Sequence, residues 1–204
     1  LFPNSFFSAD IYCTRGYIDW GAEQLLISYL QECQRGGVCY DVGANMGYYS
    51  VLMASVVKRV FAFEPDTRNH PMIAAQQTPG ITLVPNAVGN KCGMVSFALG
   101  DESSVSHLAL AGRESGENVH CITLDTFRSE RPTDEVVEAV KMDIEGFEIE
   151  ALDGAAALAD NDRPLFLIEF NVEPGRPNSF EALGEFLSRH HYSLFGMIRE
   201  DRGR

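Results

Sequence analysis

The chain has 204 residues, of which 45% are hydrophobic and 22% charged, so it is long enough for one globular domain with a full core. Its formal net charge is −13, and most of the excess lies in the second half: residues 1–100 carry 6 basic and 7 acidic side chains, whereas residues 101–204 carry 10 and 22. Because a protein that binds a phosphate backbone needs a basic face, this balance disfavours nucleic acid and anionic membranes as partners.

No membrane span or targeting segment is predicted. No apolar run approaches the roughly 20 residues that cross a bilayer, and the opening LFPNSFFSAD lacks the basic and apolar regions of a signal peptide. The five cysteines are scattered without a C-x-x-C pair, which is typical of reduced thiols. We therefore expect a cytoplasmic protein without disulfides or a zinc site.

Short β-type runs alternate with longer helical ones along the chain. The predicted elements are, in chain order, a helix at 20–34, a strand at 38–42, a helix at 47–57, a strand at 59–65, a helix at 67–77, a strand at 81–88 with a hairpin partner at 93–99, strands at 119–124 and 139–143, a helix at 147–160, a strand at 163–171, a helix at 178–191 and a strand at 192–198. Residues 100–118 are rich in Gly and Ser and are predicted to form a surface loop.

This alternation of strands and helices predicts an α/β fold, with a mostly parallel, doubly wound sheet and helices on both faces. No interdomain linker is evident. We expect one domain over residues 1–204, with an N-terminal lid and helix region at 1–35 and a core at 38–204.

Ligands of such sheets bind outside the carboxyl ends of the strands. Every predicted end of the parallel strands carries an acid or an amide. These positions are Asp41 to Gly47 after the first strand, Glu64 to Asp66, Asn86 with Ala87, Asp143 to Gly146, and Glu169 to Asn171.

The first strand end has the form D-x-G-x-x-x-G. Gly43 lets the backbone turn and approach a ligand closely, and Gly47 is expected to allow close packing where a helix begins. A pyrophosphate-binding turn needs a glycine where this chain has Asn45, and Asp41 would repel a phosphate. The turn therefore suits a ligand with a cationic amino group.

Two further strand ends narrow the choice of ligand. Glu64 follows Gly43 by 21 residues, close to the spacing at which an acid meets a ribose. Asn86 offers both a donor and an acceptor for an adenine edge. A ligand with an amino acid end, a ribose and an adenine but no phosphate matches S-adenosylmethionine.

The chain resembles the FkbM-type S-adenosylmethionine-dependent methyltransferases, which have the Rossmann-like class I fold. The resemblance rests on VCYDVGANMGYYS, FAFEPD, NAVGNKCG, ITLDTF, VKMDIEGFEIEALDGA and LFLIEF, in this order between residues 38 and 170. It implies contacts with the methionine portion at the first turn, with the ribose at Glu64, and a place for Asp143 between cofactor and acceptor. The predicted cofactor-binding residues are Asp41, Gly43, Ala44, Asn45, Gly47, Glu64, Pro65, Asn86, Ala87 and Asp143.

The resemblance also implies methylation of a hydroxyl group, typically of a sugar or a secondary metabolite. An alcohol must lose its proton during transfer, which requires a nearby base. The candidates are Asp143 and Glu145, with His107 third. No metal is predicted, although Asp143 beside Glu169 would suit Mg²⁺. Glu148 is expected to be solvated or to lie at a helix start, and Asp125 to cap a turn.

Other classes of function stay open. One alternative is a nicotinamide-dependent oxidoreductase, which Asn45 and Asp41 disfavour. The other is a non-catalytic module that binds S-adenosylmethionine without turnover. The expected partner is a small-molecule or glycan acceptor, and a homo-oligomer is neither predicted nor excluded.

Overall fold

A computed structural model describes residues 21–33, 36–98, 107–108, 117–172 and 174–195. The helices in these ranges are α1 (Ala22–Cys33), α2 (Tyr48–Ala54), α3 (His70–Ala75), α4 (Leu124–Ser129), α5 (Glu148–Asp153), α6 (Ala156–Asn161) and α7 (Phe180–Arg189). The strands are β1 (Val38–Val42), β2 (Arg59–Phe63), β3 (Ile81–Val84), β4 (Ala87–Val88), β5 (Gly93–Ala98), β6 (His107–Leu108), β7 (Glu117–Ile122), β8 (Val137–Met142) and β9 (Leu165–Ile168).

Five parallel strands form the central sheet, in the order β3-β2-β1-β8-β9. Every residue of β1 and of β8 is buried, as expected for central strands that are covered on both faces. Because the strands are parallel, the carboxyl ends of β1, β2 and β8 lie at one edge of the sheet. The predicted fold class is confirmed.

Helices cover the two faces through different apolar clusters. Tyr40 of β1 packs edge to face with Phe61, Phe63 and Phe127 on one face. Cys39, its neighbour in the strand, belongs to a cluster with α1 and α2 on the other face. This alternation places Asp41 on the same face as Cys39, beneath α2.

The predicted hairpin between residues 81–88 and 93–99 is wrong. The first segment is interrupted after β3 at Pro85, which has no N–H to continue the strand ladder. Beyond this break the chain enters a second sheet, ordered β4-β7-β5-β6, in which β5 pairs antiparallel with β7 and β4 pairs parallel with β7.

The helix predicted at 147–160 is divided into α5 and α6. The division falls at Gly154, where an added β-carbon would lie 2.1 Å from the carbonyl oxygen of Gly89. This close backbone contact with the residue after β4 explains why position 154 is a glycine. Ser179 caps the start of α7, since its hydroxyl accepts a hydrogen bond from the Ala182 N–H.

Two predicted segments are described only in part. Residues 192–195, in the predicted last strand, have no regular structure, and the rest of that strand lies outside the described residues. In the segment predicted as a loop, the structure describes β6 and the start of β7. Within the described parts of the chain, no helix has the length and hydropathy needed to cross a membrane.

Candidate functional site

The turn after β1 is built from backbone in the left-handed region. Gly43, Asn45 and Gly47 have φ values of 75°, 51° and 88°. The N–H groups of Gly43 and Ala44 both donate to the Phe63 carbonyl, at 3.1 and 3.0 Å, so the turn is attached to the end of β2. The sequence DVGANMG therefore produces a tight connection, with glycine or asparagine wherever φ is positive.

Gly43 also permits contact with the turn after β8. A β-carbon added at Gly43 would lie 1.9 Å from the Asp143 carbonyl oxygen, a distance that excludes any side chain. Gly47 differs, since a β-carbon there would be no closer than 3.4 Å to Ile73. Its left-handed φ, rather than the close packing we expected, accounts for glycine at this position.

Glu64 joins the turn after β1 to the loop after β2. Its carboxylate accepts hydrogen bonds from the Asn45 N–H at 2.7 Å and from the Asp66 N–H at 2.8 Å. Burial raises the pKa of Glu64 to about 7, although the hydrogen bonds from the Asp66 and Asn45 backbone act in the opposite direction. The buried amide of Asn69 lies beside this carboxylate and also lowers the pKa, but neither of its polar atoms has a partner within strict hydrogen-bond geometry.

Asp41 lies inside the protein rather than on the edge of the sheet. It is completely buried, and one carboxylate oxygen accepts a 2.6 Å hydrogen bond from the Ser50 hydroxyl. Its other oxygen lies 3.8 Å from the Lys141 ammonium. Burial raises the pKa of Asp41, and Lys141 and Ser50 oppose that rise. Any contact between Asp41 and a ligand therefore runs through a neighbouring group.

Lys141 is a residue of this site that the sequence analysis missed. Its ammonium donates to the Gly43 carbonyl at 3.1 Å and lies 3.5 Å from a carboxylate oxygen of Asp143. A signal for it was present, because a lysine stands between Val140 and Met142 in a strand that otherwise reads as buried core.

The turn after β8 carries the predicted base candidates. The Asp143 side chain is 32% exposed, and Glu145 is half-buried with a left-handed φ of 56°. Of the two positions expected for Glu148, the structure shows the start of a helix rather than a solvated one. Glu148 is buried, accepts hydrogen bonds from the Ile144 and Gly146 N–H groups, and is contacted by the Asn178 amide.

The predicted residues not yet described are Pro65, Asn86, Ala87 and His107. Asn86 is half-buried and donates its N–H to the Val84 carbonyl, while Ala87 is buried in β4. Pro65 is half-buried in the loop after β2. The side chain of His107 lies outside the described part of the structure.

Two further carboxylates have roles that can be read from their contacts. Asp125 accepts hydrogen bonds from the Ala157 and Leu158 N–H groups at the start of α6. It therefore has a capping role, but it caps α6 and not the turn that follows it in the sequence. Glu169 is exposed and receives a 3.4 Å hydrogen bond from Asn171. Among the described residues, no group of three or more His, Cys, Asp or Glu side chains is arranged to hold a metal ion.

Together the three turns form a compact polar edge. The glycine turn brings backbone against Asp143, Glu64 ties that turn to β2, and Lys141 ties it to β8. The described acids at this edge outnumber its single buried lysine, which favours a ligand that carries a cationic group.

Comparison with known proteins identifies related chains. The family model for the methyltransferase FkbM domain matches residues 41–194. The hexuronic acid methyltransferase AglP from Haloferax volcanii is 31% identical over 167 residues, which cover 76% of this chain and 65% of that protein.

Two solved structures share the fold. An FkbM methyltransferase from Methylobacillus flagellatus has 20% identity and a TM-score of 0.53, covering 76% of this chain and 37% of that one. The magnesium protoporphyrin IX methyltransferase from Synechocystis, with S-adenosylmethionine bound, has 12% identity and a TM-score of 0.52. The match covers 96% of this chain and 77% of that one. The chain thus spans less than two thirds of the curated relative and little more than a third of the first of these structures.

Proposed function

Because the chain belongs to the methyltransferase FkbM domain family, we propose that it transfers the methyl group of S-adenosylmethionine to a hydroxyl oxygen of a sugar or another small metabolite. S-adenosylmethionine is its cofactor. The observation that carries the proposal is that the matched region, residues 41–194, contains all three turns that meet at the carboxyl edge of the sheet.

Glu64 and the glycine turn would hold the cofactor. A carboxylate has about four acceptor positions, and the hydrogen bonds that Glu64 accepts from the Asn45 and Asp66 N–H groups use two of them. Its remaining lone pairs suit the hydroxyls of a ribose. The absence of a side chain at Gly43 lets the backbone of the first turn lie directly against Asp143.

Asp143 would face the cationic amino group of the methionine portion. Asp41 is fully buried, whereas 32% of the Asp143 side chain is exposed. Lys141 lies between the two acids, 3.8 Å from Asp41 and 3.5 Å from Asp143, so the more exposed Asp143 is the acid that supports contact with an ammonium of the ligand.

When bound, S-adenosylmethionine supplies a methyl group activated by the sulfonium. The chain itself must align the acceptor oxygen and accept its proton. Asp143 and Glu145 are the base candidates, because both follow β8 and both are partly accessible. His107 remains the third candidate.

An acidic sugar is the acceptor that both the curated relative and the position of Arg176 support. The curated relative is a hexuronic acid methyltransferase. Arg176 packs on the turn after β8, since a β-carbon added at Gly146 would lie 3.1 to 3.3 Å from three of its side-chain atoms. The guanidinium carbon lies 5.4 Å from the centre of the Phe147 ring. An arginine in this place supports recognition of a carboxylate.

Binding and transfer test the proposal separately. Calorimetry with S-adenosylhomocysteine should show binding, and NAD under the same conditions should show none. Transfer of a labelled methyl group should then be measured with hexuronic acids and with the corresponding neutral hexoses. Binding of NAD alone would favour the oxidoreductase alternative, and cofactor binding without transfer to any acceptor in a metabolite extract would favour the non-catalytic module.

A further inference from the structure

Lys141 occupies an unusual position for a charged residue. It lies in β8, a central strand whose residues are all buried, and its side chain is 9% exposed. In the parallel pairing of β1 with β8 it stands in register with Asp41, so the two side chains project from the same face. An ammonium in such a place is costly unless charged or dipolar partners surround it.

The partners of Lys141 come from separate parts of the site. The ammonium donates to the carbonyl of Gly43 and lies near one carboxylate oxygen of Asp41 and one of Asp143. It also lies 5.2 Å from the centre of the Tyr49 ring, which covers it from the side of α2. One side chain thus connects β1, the turn after β1 and the residue that follows β8.

A purely structural role would make Lys141 the counter-ion of Asp41. That role accounts for the 3.8 Å separation from Asp41, which is fully buried. It does not account for the shorter contacts, 3.1 Å to the Gly43 carbonyl and 3.5 Å to Asp143, the more exposed acid. These two partners are the groups that border the edge of the sheet.

We propose that Lys141 is a positioning residue that holds the Gly43 carbonyl and the Asp143 carboxylate in the arrangement that receives S-adenosylmethionine. The inference rests on the function proposed above. Asp41 balances the lysine charge from within the core, so Asp143 can contact Lys141 and still present its own negative charge to the ligand.

Charge-balanced variants separate positioning from charge compensation. Lys141→Met leaves Asp41 buried without a cation and should lower the stability of the fold. Adding Asp41→Asn removes that buried charge, so the double variant should recover most of the stability. Urea unfolding measures this for the wild type, both single variants and the double variant.

Ligand binding gives the decisive readout. We expect the double variant to bind S-adenosylhomocysteine about tenfold more weakly than the wild type, because the Gly43 carbonyl and the Asp143 carboxylate lose the ammonium that holds them. In turnover, the KM for S-adenosylmethionine should rise more than kcat falls. Ser50→Ala is the matched control: it removes a hydrogen bond to Asp41 but none to Gly43 or Asp143, so its affinity should stay near that of the wild type.

Two outcomes would overturn the inference in different ways. If the double variant is stable and binds S-adenosylhomocysteine as tightly as the wild type, Lys141 is only a counter-ion of Asp41, and the proposed function stands. If the wild type itself binds no S-adenosylhomocysteine, the proposed function fails and the inference fails with it.

Discussion

Two junctions at the carboxyl edge of the sheet hold buried carboxylates in opposite ways. The lysine junction, formed by Asp41, Gly43, Lys141 and Asp143, places a full positive charge between two acids. In the glutamate junction, formed by Asn45, Glu64 and Asp66, the Glu64 carboxylate accepts hydrogen bonds from the backbone N–H groups of the other two residues.

The difference teaches that a buried acid can be stabilised by a charge or by dipoles, with different consequences. The N–H groups around Glu64 do not outweigh its burial, so its pKa rises to about 7. A group with this pKa responds to pH in the physiological range. The lysine junction, by contrast, depends on the presence of its cation and on close contact between two turns.

The largest expected effect comes from breaking the lysine junction at Gly43. Gly43→Ala should destabilise the fold by about 4 kcal/mol, because overpacking against the Asp143 carbonyl adds to left-handed backbone strain. Urea unfolding measures the loss. Gly47→Ala is the matched control, and should cost about 1 kcal/mol, since it adds strain without a clash. Equal losses at the two positions would show that the turns after β1 and β8 are not in contact.

Asp41→Asn should have the next largest effect. It removes one partner of a buried ammonium and should cost about 3 kcal/mol, the lower end of the range for breaking a buried ion pair, because Asp143 still faces Lys141. Thermal and urea unfolding measure this. An unfolding midpoint equal to that of the wild type would contradict the role assigned to the lysine junction.

The glutamate junction should respond to pH in two opposite directions. The pKa of Glu64 is raised from 4.5 to about 7, so its contribution to stability is fully present below pH 4.5 and is lost as the pH rises through about 7. Affinity for S-adenosylhomocysteine should instead rise over this range, because ribose hydroxyls donate to the ionised carboxylate. Unfolding and calorimetry at a series of pH values measure the two trends.

Glu64→Gln provides the control for both trends. The amide does not titrate, so the part of each pH dependence that comes from this side chain should disappear. If the variant kept the same rise in affinity near pH 7, a different group would be responsible and Glu64 would not be the ribose ligand.

The smallest expected effect concerns the acceptor, beside the lysine junction. Arg176→Met keeps an apolar stem against Gly146 but removes the charge, so the KM for a hexuronic acid should rise about tenfold, as for loss of one charged hydrogen bond. The KM for S-adenosylmethionine should not change. Arg189→Met, on the exposed end of α7, controls for net charge. Equal effects of Arg176→Met on acidic and neutral sugars would remove Arg176 from the proposal.

Local signals predicted the central sheet well. The buried runs of β1, β2 and β8 and the turn residues after them were readable because apolar periodicity and glycine placement act over a few residues. The second sheet was not readable in the same way. Its strand β5 pairs with β7 rather than with the segment just before it, and short strands of this kind choose partners through tertiary packing.

The residues of the candidate site also separate into those that local sequence patterns predict and those that depend on long-range contacts. Sequence alone determined the D-x-G-x-x-x-G turn and the strand-end positions of Glu64, Asp143 and Glu145, because each follows from a local pattern and from the rule that parallel strands end at one edge.

Only the tertiary structure decided how these groups are joined. The Lys141 contact with Asp41 depends on the register of strands 100 residues apart in the chain, and the burial of Glu148 depends on Asn178 from the segment before α7. Long-range contacts like these carry no local sequence signature, because the energy of a buried charge depends on whichever partner the fold brings beside it.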